Sequence, residues 1–472
     1  MKKILYIASI CLLIASCQDL FEGVNDDPNS PTSAEFQNIL TGAQVGNIIL
    51  QSGETARRSG IFAGYFTGID RQHLGFNQYT VTTSDFDDLW DDAFVNALRN
   101  AHVAEQTAMD EGISGVSIGI TQVMQAMAFG TATALYGDIP FDEAVFEVEN
   151  PAFEDQVTVY GKIQSLLDVA ITNLQAGSGR PASGSDIYLN GDAQKWIQVA
   201  NTLKARYYMH VKDYSSAYAA AQNGISSSDN GLYAPHGTGQ DESNLTYQFF
   251  AVYSRAADLV VSGFMESMIN PDPVASSDYT NYRGNAKTNE TGRYGYLFES
   301  KAIGVQPNTT DGFGAQTAST ALVTYEENLL IMAEAGFRNS GFNTGLQHLN
   351  EFRAFMDAGG YLTNANAANV RYDAYVALDF ANGGMENPDN LSADDALLRE
   401  ILQERYITFF GQVEGFNDIR RTENETVVRV PVTPNTGSQL PQRFIYPQSE
   451  IDRNSNTPNP IPNFFDPTRV NQ

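Results

Sequence analysis

The sequence contains only two cysteines among its 472 residues. That number excludes a framework of disulfides and a zinc site built from thiolates. Basic residues are also few, because 28 Lys and Arg stand against 56 Asp and Glu and give a formal net charge of -28. Proteins bind nucleic acid or an anionic membrane surface through Lys and Arg, so this composition argues against both functions.

The composition also excludes a disordered acidic chain. Disordered chains of that kind have few apolar residues and a high density of charge, whereas this chain is 42% apolar and only 18% charged. Its 27 Phe and 23 Tyr must be buried or must stack on a partner. The length allows a large core, either as one large domain or as about two to three units of ordinary size.

The N-terminus carries the pattern of a targeting signal. Lys2 and Lys3 precede an apolar run, residues 4–14, that is too short to cross a bilayer as a helix. The run ends in LIASC, which resembles the bacterial lipobox. We therefore predict that residues 1–16 are a signal peptide and that Cys17 is lipidated, because several acyl chains give a stable anchor where one does not. An ordinary signal peptide with a nearby cysteine is the alternative.

The segment after the predicted anchor is polar. Residues 17–34 are rich in Asn, Asp and Pro, which predicts a tether that ends in a turn. Asp19 and Glu22 follow Cys17 closely. Acidic residues at this place resemble the export signal that sends such lipoproteins to the outer face of the outer membrane. Together with the anchor, they predict a protein that faces the cell exterior.

From residue 35 onward the pattern is mainly helical. Apolar residues recur at i, i+3, i+4 and i+7 in residues 192–211, 322–337 and 394–410, which predicts three amphipathic helices. Four earlier segments have the same character and are separated by short turns that contain glycine; they are residues 35–57, 84–111, 116–136 and 157–175. This alternation predicts antiparallel helix hairpins and a mainly α fold.

Two segments interrupt the helical pattern. Residues 58–83 contain four glycines and several aromatic residues, and residues 224–318 are rich in Gly, Asn, Ser and Tyr. Irregular connections of this length are usually functional or disordered. Their aromatic content argues against disorder, so we predict that the two insertions contribute to a binding surface.

The sequence offers little for catalysis. It has neither an H-E-x-x-H zinc motif nor the glycine-rich motifs that bind nucleotide phosphates. Residues 115–119 (GVSIG) match the G-x-S-x-G of serine hydrolases, but that motif requires a preceding strand and residues 98–109 have a helical pattern. A helix–helix turn is the better interpretation. The pair of carboxylates that a glycosidase uses cannot be recognised among 56 acids. We therefore predict a binding protein that is not an enzyme.

Five short segments, taken in order, carry a resemblance that covers nearly the whole mature chain. They are residues 27–32 (DPNSPT), 135–144 (LYGDIPFDEA), 190–206 (NGDAQKWIQVANTLKAR), 325–335 (YEENLLIMAEA) and 404–421 (ERYITFFGQVEGFNDIRR). Together with the lipobox, they resemble the SusD/RagB family of nutrient-binding outer-membrane lipoproteins, and residues 250–300 are more similar to its divergent SusD-like branch than to the founding starch binder.

The resemblance implies a fold and a partner. The fold would be a single SusD-like α-helical domain over residues 35–472, with tetratricopeptide-like helix pairs as a scaffold and long irregular loops on the ligand side. The partner would be a SusC-like TonB-dependent transporter, over which the lipoprotein acts as a lid. The ligand would be an oligosaccharide. The resemblance implies no cofactor, although some surface glycan binders carry structural calcium.

Other functions stay open at this point. The ligand of such a complex could instead be a peptide or another nutrient that is not a glycan. A surface glycoside hydrolase and a purely structural surface protein are further alternatives, which the sequence does not separate from a binder.

The candidate ligand-binding residues come from the two insertions. Trp90 and Trp196 are expected in the core, so contacts to sugar rings fall to loop Tyr and Phe, with polar residues for the sugar hydroxyls. The first candidate cluster is Tyr65, Asp70, Arg71, His73, Phe76 and Tyr79; the second is Tyr279, Tyr282, Arg283, Tyr294 and Tyr296, next to Phe298. Arg71 and Arg283 could instead form ion pairs with the many acids.

Overall fold

A computed structural model describes residues 34–145, 148–272 and 281–472. The predicted signal peptide, Cys17 and nearly all of the tether lie outside the described residues, so their cleavage and lipidation stay predictions. None of the helices in the described ranges combines the length and the apolar character needed to cross a membrane.

Helices dominate the first half of the described chain, in agreement with the mainly α prediction. They are α1 (Phe36–Ser52), α2 (Glu54–Phe62), α3 (Arg71–Asn77), α4 (Asp87–Asp91), α5 (Asn100–Asp110), α6 (Val116–Tyr136), α7 (Gln156–Gln175), α8 (Ala193–His210) and α9 (Tyr214–Ala221). A π-helical segment, Asp92–Arg99, joins α4 to α5. Helix α7 begins where the Asp155 side chain accepts hydrogen bonds from the amides of Val157 and Thr158, and α8 begins at Asp192 in the same way.

The second half contains longer stretches of irregular chain between helices. The helices are α10 (Leu245–Tyr247), α11 (Gly263–Ile269), α12 (Thr291–Leu297), α13 (Tyr325–Ser340), α14 (Phe342–Asp357), α15 (Ala393–Thr408), α16 (Val413–Arg421) and α17 (Gln448–Arg453). The predicted helix at 322–337 begins later, at Tyr325, because Leu322 belongs to a strand and Thr324 forms a capping box with Glu327.

The strands are short, and every sheet among the described residues is an antiparallel pair. The strands are β1 (Phe66–Gly68), β2 (Ile139–Pro140), β3 (Phe153–Glu154), β4 (Leu232–Ala234), β5 (Leu259–Val261), β6 (Thr288–Asn289), β7 (Phe298–Lys301), β8 (Gly304–Pro307), β9 (Thr320–Val323) and β10 (Arg371–Tyr372). They pair as β1 with β5, β2 with β3, β4 with β9, β6 with β10 and β7 with β8. Three of these pairs, β1 with β5, β4 with β9 and β6 with β10, join the irregular segment 224–318 to strands outside it.

Consecutive helices pack against each other as pairs. Helices α6 and α7, α8 and α9, and α13 and α14 are extensive neighbours, and α9 also packs on α13. Only Gly341 separates α13 from α14, and its φ of 85° reverses the chain in a single residue. This arrangement fits the predicted scaffold of helix pairs.

The apolar core joins residues from both ends of the described chain, from Phe36 to Phe464. Trp196 is fully buried with its indole nitrogen 2.8 Å from Asp186 Oδ2, and Trp90 stacks on Phe94, so both tryptophans have the core position that was predicted. The chain after residue 426 also enters the core, because the rings of Phe444 and Phe464 lie 6.0 and 5.0 Å from that of Phe62.

A buried ion network ties α13 to α15 and α16. The Glu334 carboxylate lies 2.5 Å from Arg421 and 3.2 Å from Arg405, and Arg338 on its own helix lies 2.9 Å away. Asp418 pairs with both Arg405 and Arg421. The three arginines hold the pKa of Glu334 well below its usual range. Part of the motif at 404–421 therefore serves the packing of helices.

The G-x-S-x-G segment is a turn between helices, as predicted. Gly115 has a φ of 69° and precedes α6, which contains Ser117. Ser117 is fully buried. A nucleophile elbow needs an exposed serine after a strand, and this segment has neither feature.

Candidate functional site

Most of the first candidate cluster is buried. Residues 58–83 form the end of α2, β1 and α3 rather than an irregular loop. Tyr65 is fully buried and its hydroxyl donates a hydrogen bond of 2.6 Å to the Tyr406 carbonyl oxygen. Phe76 is covered by the Arg58 guanidinium, 4.3 Å from the ring centre. Tyr65 and Phe76 are buried and line neither of the two concave sites described below, so we remove them from the candidate site.

His73 is also enclosed. Its ring is fully buried, 3.6 Å from Glu54 Oε1 and 3.7 Å from Asp258 Oδ2. Burial lowers the pKa of His73 below that of a free histidine, although the two carboxylates act in the opposite sense. The imidazole joins α3 to α2 and to residues 256–258, and a ligand has no access to it.

Two members of the first cluster reach the surface. The Arg71 and Asp70 side chains are half exposed, and Arg71 Nε lies 3.0 Å from Asp258 Oδ1. Tyr79 is partly buried between Phe464 and Phe465, and its hydroxyl accepts a hydrogen bond from the Asn435 amide. The first cluster therefore provides surface charge but no open aromatic face of its own.

The second cluster divides between two concave sites. Tyr279 lies outside the described residues. Tyr282 and Arg283 line a cavity of about 310 Å³, which we call the charged cavity because Glu386, Asp389, Arg399 and Glu400 also line it. Tyr294 is half-buried with its ring 5.6 Å from Phe298, and burial raises its pKa to about 12.

Tyr296 lines the other site, an open pocket of about 470 Å³ that we call the aromatic pocket. Its aromatic members are Tyr233, Tyr296, Phe313, Tyr361 and Phe410, and its polar members include Thr310, Asp311, Thr317, Ser319, Glu326, Thr363, Thr408 and Gln412. Ligand pockets commonly have volumes of about 300–1,000 Å³ and an apolar lining with a few polar groups. The aromatic pocket fits that description better than the charged cavity does.

Local structure positions the rings of the aromatic pocket. Tyr233 lies on β4 opposite Ala321 of β9, which directs the chain into α13. The Phe313 amide donates a hydrogen bond to the Tyr296 carbonyl oxygen, and the Phe313 ring packs 5.4 Å from Phe410. Phe410 follows the end of α15, where Gly411 takes a φ of 75°. Three distant parts of the chain thus meet around one opening.

A buried network links the two concave sites. Arg283 donates to Glu290, Glu400 and Glu404 over 2.9, 2.5 and 2.9 Å. Glu404 also accepts from Arg293, whose remaining nitrogens donate to the Tyr361 hydroxyl at 2.6 Å and to Thr408 Oγ1 at 2.8 Å. The arginines hold the pKa of Glu404 at about 2. Arg293 thereby fixes two groups in the wall of the aromatic pocket, while Arg283 is committed to carboxylates.

Glu326 is the most unusual acid of the aromatic pocket. Its side chain is buried, and both carboxyl oxygens face the Tyr233 hydroxyl, at 3.1 and 3.4 Å. Burial raises the pKa of Glu326 to about 7, although the hydrogen bonds from Tyr233 and Thr324 act in the opposite sense. Burial also raises the pKa of Tyr296.

The described residues contain no group of three or more His, Cys, Asp or Glu side chains placed to hold a metal ion.

The residues of the aromatic pocket come only in part from the two insertions that the sequence analysis singled out. Tyr233 and Phe313 belong to the predicted insertion 224–318, where an abundance of aromatics was the available signal. Tyr361, Thr408 and Phe410 come from segments far along the chain, and Glu326 belongs to a helical motif that was matched only as a family signature.

Comparisons with known proteins agree with this architecture. A family model described as "SusD-like, starch-binding associating with outer membrane" matches residues 28–447. A SusD/RagB family protein from Bacteroides thetaiotaomicron has a similar structure, with a TM-score of 0.65 and 20% identity over 90% of this chain and 95% of its own.

Two further solved structures are similar. A chitin-binding SusD homolog from Flavobacterium johnsoniae has a TM-score of 0.65 and 17% identity over 92% of this chain and 98% of its own. A SusD homolog from Parabacteroides distasonis has a TM-score of 0.67 and 15% identity over 93% of this chain and 98% of its own. Among curated proteins, no relative matches the chain. At these identities the structures establish the fold.

Proposed function

Because the chain belongs to the SusD-like family of starch-binding proteins that associate with the outer membrane, we propose that it captures an oligosaccharide at the cell surface. In this proposal the lipid anchor at Cys17 holds the protein on the outer membrane, facing the exterior. A SusC-like TonB-dependent transporter receives the ligand. The chain itself binds and does not catalyse.

The aromatic pocket is the observation that carries the ligand-binding part of the proposal. Five aromatic residues line it together with hydroxyl, amide and carboxyl groups. Tyr233, Phe313 and Tyr361 are partly exposed there, whereas Tyr296 and Phe410 are buried behind them. Sugar rings present C–H faces that pack on aromatic rings, and their hydroxyls pair with side chains that donate and accept hydrogen bonds. Arg293 holds Tyr361 in place, so this part of the surface is organised before a ligand arrives.

The first ligands to test are β-1,4-linked chito-oligosaccharides, because two of the similar solved structures are of chitin-binding proteins. Starch oligosaccharides come next, since the family description names starch. Calorimetry or affinity electrophoresis against such a panel, with peptides as the alternative ligand class, tests the proposal. Binding to peptides and to none of the glycans would contradict the carbohydrate part.

A matched pair of variants tests the site. Phe313 is partly exposed in the pocket, so Phe313→Ala should weaken glycan binding by up to about tenfold, the value of one aromatic contact. Tyr253 is 53% exposed and does not line the pocket, so Tyr253→Ala should bind normally. If Tyr253→Ala loses binding and Phe313→Ala does not, the ligand lies on the other surface.

Two carboxyl groups in the pocket keep a hydrolase as the second candidate. Asp311 and Glu326 both line it, and a raised pKa such as that of Glu326 is a property of glycosidase general acids. Chromatography of a bound oligosaccharide after long incubation distinguishes the two functions. A binder returns the sugar intact, whereas a hydrolase returns shorter products that disappear in the Glu326→Gln variant.

A further inference from the structure

The charged side chains that line the aromatic pocket are all acidic. Two carboxyl groups, of Asp311 and Glu326, line it, and its described lining contains no Lys, Arg or His. Arg293 lies behind the wall, where Glu404 and Glu290 accompany it. An anionic ligand such as a sulfated or uronic acid glycan would therefore enter a pocket that repels it, whereas a cationic group would be attracted.

Glu326 lacks the cationic partner that its neighbour has. Glu327 pairs with Arg206 at 2.6 Å. Glu326 is only 3% exposed, and no salt bridge joins it to a cation in the described part of the chain. Its contacts are the Tyr233 hydroxyl, Thr324, and the nearby charge of Glu327, with the Tyr296 ring close by. Burying an unpaired carboxylate is costly, so most such groups are paired.

We infer that the aromatic pocket takes a sugar that carries a protonated amine, with the Glu326 carboxylate as its counter-ion. This inference rests on the proposed function, because it deepens the chemistry of the same pocket. The ammonium group supplies the cation that Glu326 lacks and donates charge-assisted hydrogen bonds to it. The neighbouring faces of Tyr233 and Tyr296 add a favourable contact to a cation.

The ionisation of Glu326 makes the preference depend on pH. Burial holds its pKa at about 7 in the empty pocket. As the pH falls through about 7, Glu326 takes up a proton and loses its attraction for an ammonium group. As the pH rises, the ligand amine loses its proton instead. Affinity for the amine ligand should therefore pass through a maximum, whereas affinity for a neutral sugar should not.

Three ligands of equal length isolate the amine. Oligomers of glucosamine, N-acetylglucosamine and glucose, all β-1,4-linked, differ only in the amine, acetamide or hydroxyl at one carbon. Calorimetry with the full-length protein should give the tightest binding for the glucosamine oligomer. Glu326→Gln keeps the size of the side chain and one acceptor oxygen for the Tyr233 hydroxyl but removes the charge. It should reduce affinity for that oligomer roughly ten- to hundredfold, the range for a hydrogen bond to a charged group.

A second variant changes the ionisation of Glu326 without replacing Glu326 itself. Tyr233→Phe keeps the ring but removes the hydroxyl that favours ionised Glu326. It should shift the acidic limb of the pH profile for the glucosamine oligomer to higher pH. Thermal melting of both variants establishes that they are folded. For each variant, the ratio of its affinities for the glucosamine and glucose oligomers separates the effect on the amine from a general effect on the pocket.

The outcomes separate the inference from the proposed function. Equal binding of the three oligomers, or an amine preference that survives Glu326→Gln, overturns the inference alone, provided that Phe313→Ala still weakens binding. Absence of binding to every one of these oligomers overturns the inference, and absence of binding to the starch oligosaccharides as well overturns both. A preference for the glucosamine oligomer that vanishes in Glu326→Gln, with an acidic limb that moves in Tyr233→Phe, supports both.

Discussion

Two consecutive glutamates show that buried side chains of the same type have different roles when their partners differ. Glu326 and Glu327 are both buried at the start of α13. Glu327 caps the helix and pairs with Arg206, whereas Glu326 faces a hydroxyl and the aromatic pocket. The first role stabilises the fold. The second leaves a carboxyl group whose charge costs free energy in the folded protein.

That cost predicts a dependence of stability on pH. The pKa of Glu326 rises from 4.5 to about 7 on folding, so the folded state holds this proton more tightly than the unfolded state. The free energy of unfolding therefore falls as the pH rises from about 4.5 to 7. Glu326→Gln lacks this loss, and we expect it to be more stable than the parent by about 3 kcal/mol at pH 8 and by under about 1 kcal/mol at pH 5.

Denaturation with urea at the two pH values measures the difference. Glu327→Gln is the matched control. It removes the carboxylate nearest to the buried Arg206 and leaves only Glu414, 3.8 Å away, so it should destabilise by about 3–5 kcal/mol at both pH values. A stability difference between Glu326→Gln and the parent that does not change with pH would contradict the assignment of the raised pKa to Glu326.

At the scale of elements, the sequence predicts helices well where the apolar period is long. Helices α6, α7 and α15 begin and end within one or two residues of their predicted positions. The predicted start of α13 was wrong because Leu322 fits a helical period, yet Leu322 lies in β9, where its neighbours Ala321 and Val323 pair with Tyr233 and Leu232 of β4. Only contact with a distant segment decides between these two structures.

The same limit explains the candidate site. Tyr65 and Tyr296 both lie in aromatic segments of similar composition, and nothing local distinguishes them. Tyr65 is buried because it packs on Tyr406, which is 341 residues away in the chain. Tyr296 keeps only 7% of its surface exposed, but it lines the aromatic pocket because Tyr361 and Phe410 meet it there. Composition therefore indicates the right segments, and tertiary contacts choose the residues.

The turn between α13 and α14 offers a test of an element boundary. Gly341 has φ 85° and ψ -174°, a conformation nearly restricted to glycine, and a methyl group there would meet no neighbour. Gly341→Ala should therefore cost about 1–3 kcal/mol through the backbone alone. Gly42 lies exposed within α1 with equal space around it, so Gly42→Ala should instead stabilise by up to about 1 kcal/mol.

Thermal or chemical denaturation of the two variants measures the opposite signs. Because neither methyl group makes a contact, differences in packing do not enter the comparison. Equal effects of the two substitutions would mean that the backbone at Gly341 relaxes into a region open to alanine, and the sharp reversal between α13 and α14 would then not depend on glycine.

At the scale of the whole molecule, the last residues complete the core that the first helices begin. Phe464 is 4% exposed and its ring contacts Phe62 and Phe86. The Phe444 amide donates to the Leu135 carbonyl oxygen at the end of α6. The segment after residue 426 is rich in proline, yet its aromatic residues Phe444, Tyr446 and Phe464 pack inside. Folding of the described chain therefore brings together residues that are several hundred positions apart in the sequence.

Removing one of these rings should weaken the whole fold. Phe464→Ala deletes a buried ring between the two ends of the chain and should cost about 3–5 kcal/mol, measured by urea denaturation. Ile461 lies three residues earlier and is 37% exposed, so Ile461→Ala should change stability by no more than about 0.5 kcal/mol. If Phe464→Ala melted like the parent, the C-terminal segment would be a detachable cover. In that case a protease should remove residues after 426 and leave the helix pairs folded, whereas a ring that belongs to the core predicts that cleavage there unfolds the first helices as well.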